Sequence, residues 1–118
     1  MQPILVIEDD PQFRQTVQAT LEDEGWAVDV AADGQQALGW LALRRPALVV
    51  LDWTLPEFDG EAVAASLRAT HGLGVPVLLM TADGSASEKA RRAGAFAYLH
   101  KPFELDELIG LVRRGLSD

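Results

Sequence analysis

Five short apolar runs punctuate the chain: Pro3–Glu8, Trp26–Ala31, Ala47–Asp52, Val75–Met80 and Ala95–Leu99. The first, third and fourth are nearly continuous in apolar residues, the pattern of strands buried on both faces. The second alternates more and the fifth is rich in alanine and aromatic residues, so both are expected to be less buried. Segments of helical length and spacing lie between the runs. Asp10-Pro11 reads as an N-cap with proline at the first helical position. From there to Glu24 the spacing puts Phe13, Val17 and Leu21 on one face, and Gly25 ends the helix. Asp33 can cap a second helix, with Ala37, Leu38 and Leu41 inward and Pro46 marking its end. A third runs from about Gly60 to Thr70 and stops near Gly72 and Gly74. A fourth opens with Ser85-Ala86-Ser87-Glu88, the pattern of a capping box, and ends at Gly94. A fifth carries Leu105, Leu108, Ile109 and Val112 at three- and four-residue spacing.

Strands alternating with helices predict βαβ units, a parallel sheet and right-handed crossovers. The expected fold is α/β, a three-layer open sandwich of five parallel strands and five helices. No internal repeat, low-complexity tract or linker interrupts the pattern, so residues 1–118 are expected to form one domain.

Composition narrows the function classes. A chain of 118 residues, 48% of them hydrophobic, buries roughly two-thirds of its unfolded surface. Ten basic and eighteen acidic residues give a net charge of −8. Such a surface does not attract phosphate backbones or anionic lipid, so no direct nucleic-acid binding is expected. The acid excess suits metal ions or basic partner patches instead. There is no cysteine, which excludes disulfides and thiolate chemistry. No apolar run approaches the ~20 residues of a membrane span. The N-terminus, MQPILVIEDD, lacks the basic region and cleavage site of a signal peptide, and a cytoplasmic location is expected.

In open α/β sheets, ligands bind outside the carboxyl ends of the strands. Glu8, Asp9 and Asp10 follow the first run, Asp52 ends the third, Thr81 and Ala82 follow the fourth, and Lys101 and Pro102 follow the fifth. Acids converging on one point repel each other, a penalty that a divalent cation removes. Oxygen ligands without His or Cys favour a hard ion such as Mg²⁺. A lysine and a threonine opposite the carboxylates make a half-site for an anion. The gap between the halves fits a phosphoryl group carried on Asp52, since aspartate can act as a nucleophile to form an acyl phosphate. Asp10 has an adequate role as a helix cap. Lys101, followed by proline at a strand end, has no obvious core role. Trp26 and Trp40 read as packing residues. Neither His71 nor His100 has the neighbours of a phosphodonor.

These residues resemble the receiver domain of two-component response regulators. The resemblance covers essentially the whole chain and rests on VIEDDP, LDWTLPEFDG, MTA and YLHKPF, in that order and at these spacings. It implies a flavodoxin-like fold of strand order 2-1-3-4-5. It implies that Asp52 accepts a phosphoryl group from a phosphohistidine on a sensor histidine kinase or histidine phosphotransfer protein, in a self-catalysed, Mg²⁺-dependent step. Asp9 and Asp52 would bind the ion through side chains, Thr54 through its backbone carbonyl, and Glu8 through a metal-bound water. Lys101 would pair with phosphoryl oxygens, and its bond to Pro102 is expected to be cis. Thr81 would hydrogen-bond the phosphoryl group, Tyr98 would swing inward when Thr81 moves, and small Ala82 leaves a path to Asp52. The fourth helix, fifth strand and fifth helix would then signal to a downstream effector or output domain. Many receivers of the winged-helix class carry two acids just before the Tyr-Leu pair, used in dimer contacts. Phe96 and Ala97 stand there in this chain. Thr54 and Asp83 occupy positions thought to tune the acyl-phosphate lifetime.

Competing readings fit less well. A haloacid-dehalogenase-type phosphatase resembles an Asp-x-Asp pattern whose second acid acts as general acid, and Thr54 occupies that place. A receiver degenerated into a binding module would not need the full set of Asp9, Asp52, Thr81 and Lys101. A flavin site needs a Gly, Ser or Thr phosphate cradle where this chain has EDDP.

Overall fold

The computed structural model describes residues 2–53, 60–82 and 84–117. Five strands, β1 (Ile4–Ile7), β2 (Val28–Ala31), β3 (Leu48–Asp52), β4 (Val77–Thr81) and β5 (Ala97–His100), alternate with five helices: α1 (Pro11–Asp23), α2 (Gly34–Leu43), α3 (Gly60–His71), α4 (Ala86–Ala93) and α5 (Leu105–Ser117). The strands form one parallel sheet in the order β2-β1-β3-β4-β5. β1, β3 and β4 are buried at every position, as continuous apolar runs require. The two edge strands, β2 and β5, carry exposed positions. Among the described residues no helix is long and apolar enough to cross a membrane.

Alternation along the strands sorts the core into two layers. Leu5, Ile7, Val49, Leu51 and Leu79 point to the face covered by α2, α3 and α4. Ile4, Val6, Leu48, Val50, Leu78, Met80 and Leu99 point to the face covered by α1 and α5. This parity decides where each residue just past a strand end can reach.

Local signals set the element ends. The Asp10 carboxylate accepts from the N–H groups of Gln12 and Phe13, with Pro11 at the first helical position. Asp33 accepts from the Gln36 N–H at 2.8 Å. Gly25, just past α1, has φ +94°. Gly60 opens α3 against Trp53: a Cβ there would stand 2.9 Å from the Trp53 Cα, so only glycine allows this approach.

Several expectations are corrected. Ser85 precedes α4, but its side chain makes no cap hydrogen bond, because its backbone (φ −110°, ψ 40°) is not the extended conformation that aims the hydroxyl into the first turn. β2 starts at Val28 rather than Trp26, and β5 at Ala97 rather than Ala95. α2 ends at Leu43, three residues before Pro46, because Arg44 is already extended. Two positions apart, Phe96 and Tyr98 would share one outward face if the strand ran from Ala95, but Phe96 precedes β5 and does not share the outward position of Tyr98. It is half-buried against the α1/α5 layer, and its ring lies so close to Gly115 that a Cβ there would be 2.7 Å away. Leu38 and Ile109 are half-buried, and Leu105 is exposed. Trp26 and Trp40 do pack at the rim of the core, and the Trp40 indole N–H also donates to Asp29.

Candidate functional site

Parallel register brings the strand ends to one edge. Ile7 pairs with Leu51, so Glu8 stands beside Asp52 one step further on. Glu8 continues the parity of Ile4 and Val6, Asp52 that of Leu48 and Val50, and Lys101 that of Leu99. All three therefore sit on the α1/α5 side. Thr81 continues the parity of Leu79 and sits on the other side, as does Tyr98, which pairs in register with Leu79.

The carboxylates of Glu8, Asp9 and Asp52 lie within 4.8 Å of one another. Glu8 and Asp52 are buried at 1% and 2% exposure, and Asp9 is exposed. The Lys101 Nζ is 2.7 Å from Glu8 Oε1 and 3.7 Å from Asp52 Oδ2. The other oxygen of Glu8 accepts the Asp10 N–H at 3.1 Å, so both Glu8 oxygens are committed. Burial pushes the Glu8 carboxyl up to about 7, with the neighbouring Asp52 charge adding to it, while Lys101 and the Asp10 N–H pull it down. Thr81 is fully buried, and its carbonyl accepts the Lys101 N–H at 2.8 Å, which ties the ends of β4 and β5 together. Ala82 is exposed beside it. Tyr98 is 44% exposed. The Lys101–Pro102 bond is cis, as expected. Thr54, Asp59 and Asp83 lie outside the described residues. His71 is held within the fold, its Nε2 at 2.8 Å from the Leu41 carbonyl, and His100 is exposed.

The arrangement can therefore hold a hard cation on the acid side and an anion on the lysine side. Donors that are all carboxylate oxygens, three carboxyl groups gathered beside one ammonium, fit Mg²⁺. Two contributors were missed in the sequence. Arg14 donates to the Glu8 carbonyl at 3.0 Å and the Asp9 carbonyl at 3.4 Å, pinning the acidic loop. Its place one turn past the Asp10 cap was the available signal. The Phe13 ring lies under Lys101, with its centroid 4.6 Å from Nζ. Nothing in the pattern separates that contact from an ordinary core phenylalanine.

The family model for the response regulator receiver domain matches residues 4–113. The response regulator MprA of Mycolicibacterium vanbaalenii is 43% identical over 112 residues, covering 93% of this chain and 48% of that protein. The chain thus spans about half the length of the curated relatives it matches. The receiver domain of the sensor histidine kinase PA1611 from Pseudomonas aeruginosa, solved with a magnesium ion in its active-site cleft, superposes with a TM-score of 0.90 at 32% identity, over 99% of this chain and 98% of that one. TrrA from Thermotoga maritima, in complex with Mg²⁺ and BeF, gives 0.86 at 31% identity over 97% and 98%. With its strand order, its acidic cluster and this matched length, the chain belongs to the response regulator receiver domain family.

Proposed function

We propose that residues 1–118 act as a phosphoacceptor module in the cytoplasm, with Asp52 loaded from a phosphohistidine on a sensor histidine kinase or a histidine phosphotransfer protein. The observation that carries this reading is the meeting, at one sheet edge, of three carboxylates within 4.8 Å of one another and an ammonium 3.7 Å from Asp52. An Asp52 oxygen attacks phosphorus, and the bond from phosphorus to the imidazole nitrogen breaks. The electron pair leaves with the imidazole, which takes up a proton. Attack by water on the acyl phosphate then returns the Asp52 carboxylate and inorganic phosphate. The chain so catalyses its own loading and unloading and turns over no separate substrate. Lys101 pairs with the transferred oxygens, Thr81 donates its hydroxyl to one of them, and Ala82 leaves the approach open.

Asp9 and Asp52 would hold Mg²⁺ through their side chains and Thr54 through its carbonyl. Glu8, with both oxygens already committed, would act at one remove through a water. The ion supplies neutralisation of the charge on the transferring oxygens. Titration with Mg²⁺ should change the fluorescence of Trp53, which adjoins Asp52, with Trp53→Phe as the control for Trp26 and Trp40. A response of unchanged affinity in the Asp9→Ala, Asp52→Ala double variant would refute the assignment.

Signalling onward follows from the other side of the sheet. Thr81 moves toward the phosphoryl group, and Tyr98, exposed in this structure, turns in behind it. Between α4, β5 and α5 lies a groove of about 520 Å³, lined in part by Ala90, Arg91, Phe96, Tyr98 and Arg114. A downstream effector protein or output domain would read the change there. Direct binding of nucleic acid or membrane by this chain forms no part of the reading.

A further inference from the structure

Lysine is a point charge on a flexible four-carbon stem, so its direction has to be set by what surrounds it. Around Lys101 the surroundings are two carboxylates on one side and an aromatic face on the other. Nζ stands 2.7 Å from Glu8, 3.7 Å from Asp52 and 4.6 Å from the centroid of the Phe13 ring. Phe13 is itself held at two points, its backbone and its ring. Its backbone N–H is held by the Asp10 cap at 3.3 Å. Phe103, two residues past Lys101, meets it edge to face, with centroids 5.6 Å apart and planes at 77°. The aromatic pair thus joins the first turn of α1 to the chain that carries Lys101.

We propose that Phe13 is a positioning residue for Lys101, its ring face setting where the ammonium stands beside Asp52. The inference rests on the phosphoacceptor reading and deepens it. Carboxylates alone would draw the ammonium toward whichever of them carries more charge. In this structure the shorter contact is to Glu8 and the longer one to Asp52. The attraction of a cation to a ring face does not depend on the charge state of either carboxylate. The ring therefore gives Lys101 a fixed wall as negative charge builds on Asp52.

A double-mutant cycle tests this. Phe13→Leu keeps the apolar bulk and removes the π face, Phe13→Tyr keeps the face, and Lys101→Met removes the charge. Each is made alone, and Phe13→Leu also in the Lys101→Met background. The readouts are the rate of phosphorylation by acetyl phosphate with saturating Mg²⁺, the affinity for beryllofluoride, and the proton shifts of the Lys101 side-chain CH₂ next to the ammonium. Phe13→Leu should slow phosphorylation and weaken beryllofluoride binding roughly 3- to 30-fold, the span expected of a cation over an aromatic face. It should also move the Lys101 CH₂ signals downfield, out of the ring's shielding. Phe13→Tyr should stay within roughly twofold of wild type on the same grounds. In the Lys101→Met background Phe13→Leu should have no further effect. Unmoved Lys101 signals, or an equal loss in both backgrounds, would overturn the proposal and make Phe13 a packing residue. A wild-type chain that takes up neither phosphoryl nor beryllofluoride would overturn it too, together with the phosphoacceptor reading. That outcome is told apart because wild type itself is inert.

Discussion

Glu8 is 1% exposed, and burial pushes its carboxyl from the ordinary 4.5 up to about 7 although an ammonium stands 2.7 Å away. The folded chain therefore keeps this proton up to about pH 7, whereas the unfolded chain releases it near 4.5. Between those values the folded state binds more protons, so this group's contribution to stability falls as the pH rises through that window. Below and above it the contribution is level. Without divalent ions, Glu8→Gln should remove this decline. Urea midpoints taken from pH 4.5 to 7 should favour the variant progressively over wild type, and a constant difference would contradict the assigned cause. The charged residues of the site were legible in the sequence because each ends an apolar run, where a lone charge has no other explanation. The pairing of Lys101 with Glu8 and the ring beneath it were not. Both depend on how far a flexible side chain reaches across loops, and no periodicity records that.

At the scale of elements, Gly60 sets how closely α3 approaches the end of β3. An alanine Cβ there would lie 2.9 Å from both the Trp53 Cα and its ring, and backbone cannot give way cheaply. Gly60→Ala should cost ~1–3 kcal/mol, the usual range for overpacking. The urea midpoint would fall by the corresponding amount, and an unchanged midpoint would show that α3 is free to shift. The helices and the three central strands could be read from the sequence because caps and continuous apolar runs are local signals. The edges were harder. Trp26, Ala27, Ala95 and Phe96 are apolar enough to extend β2 and β5, yet both elements begin later. Phe96 leaves the strand pattern because Gly115 of α5 offers its ring a place, a contact between residues far apart in the chain. The serine before α4 matched a capping pattern, but its backbone conformation prevented the bond.

At the scale of the whole molecule, sheet parity divides the labour. Glu8, Asp52 and Lys101 face α1 and α5, while Thr81 and Tyr98 face the α4 side. On the proposed function, a phosphoryl group on Asp52 and the groove between α4, β5 and α5 would communicate through the ends of β4 and β5, which the Lys101 N–H to Thr81 carbonyl bond ties together. A ligand shifts such an equilibrium only by its differential affinity for the two states, and coupling of ~1–3 kcal/mol is typical. Binding of beryllofluoride should therefore change amide hydrogen exchange from Thr81 through Lys101. Unchanged protection with the mimic demonstrably bound would route the switch elsewhere. The strand order followed from the family resemblance, whereas the division between the two faces needed the strand register and the burial of each position. The groove's lining depended on side-chain placements that only the structure supplies.

Whether Asp52 carries the phosphoryl group is decided by mapping the modified residue. The chain is incubated with acetyl phosphate and Mg²⁺, and the acyl phosphate is reduced with borohydride, which converts a phosphorylated aspartate to homoserine. Peptide mass spectrometry then locates the product. Homoserine is expected at position 52 in wild type and none in Asp52→Asn, with the signal lost when Mg²⁺ is chelated. Homoserine at another aspartate in wild type, or modification of Asp52→Asn at the wild-type level, would contradict it.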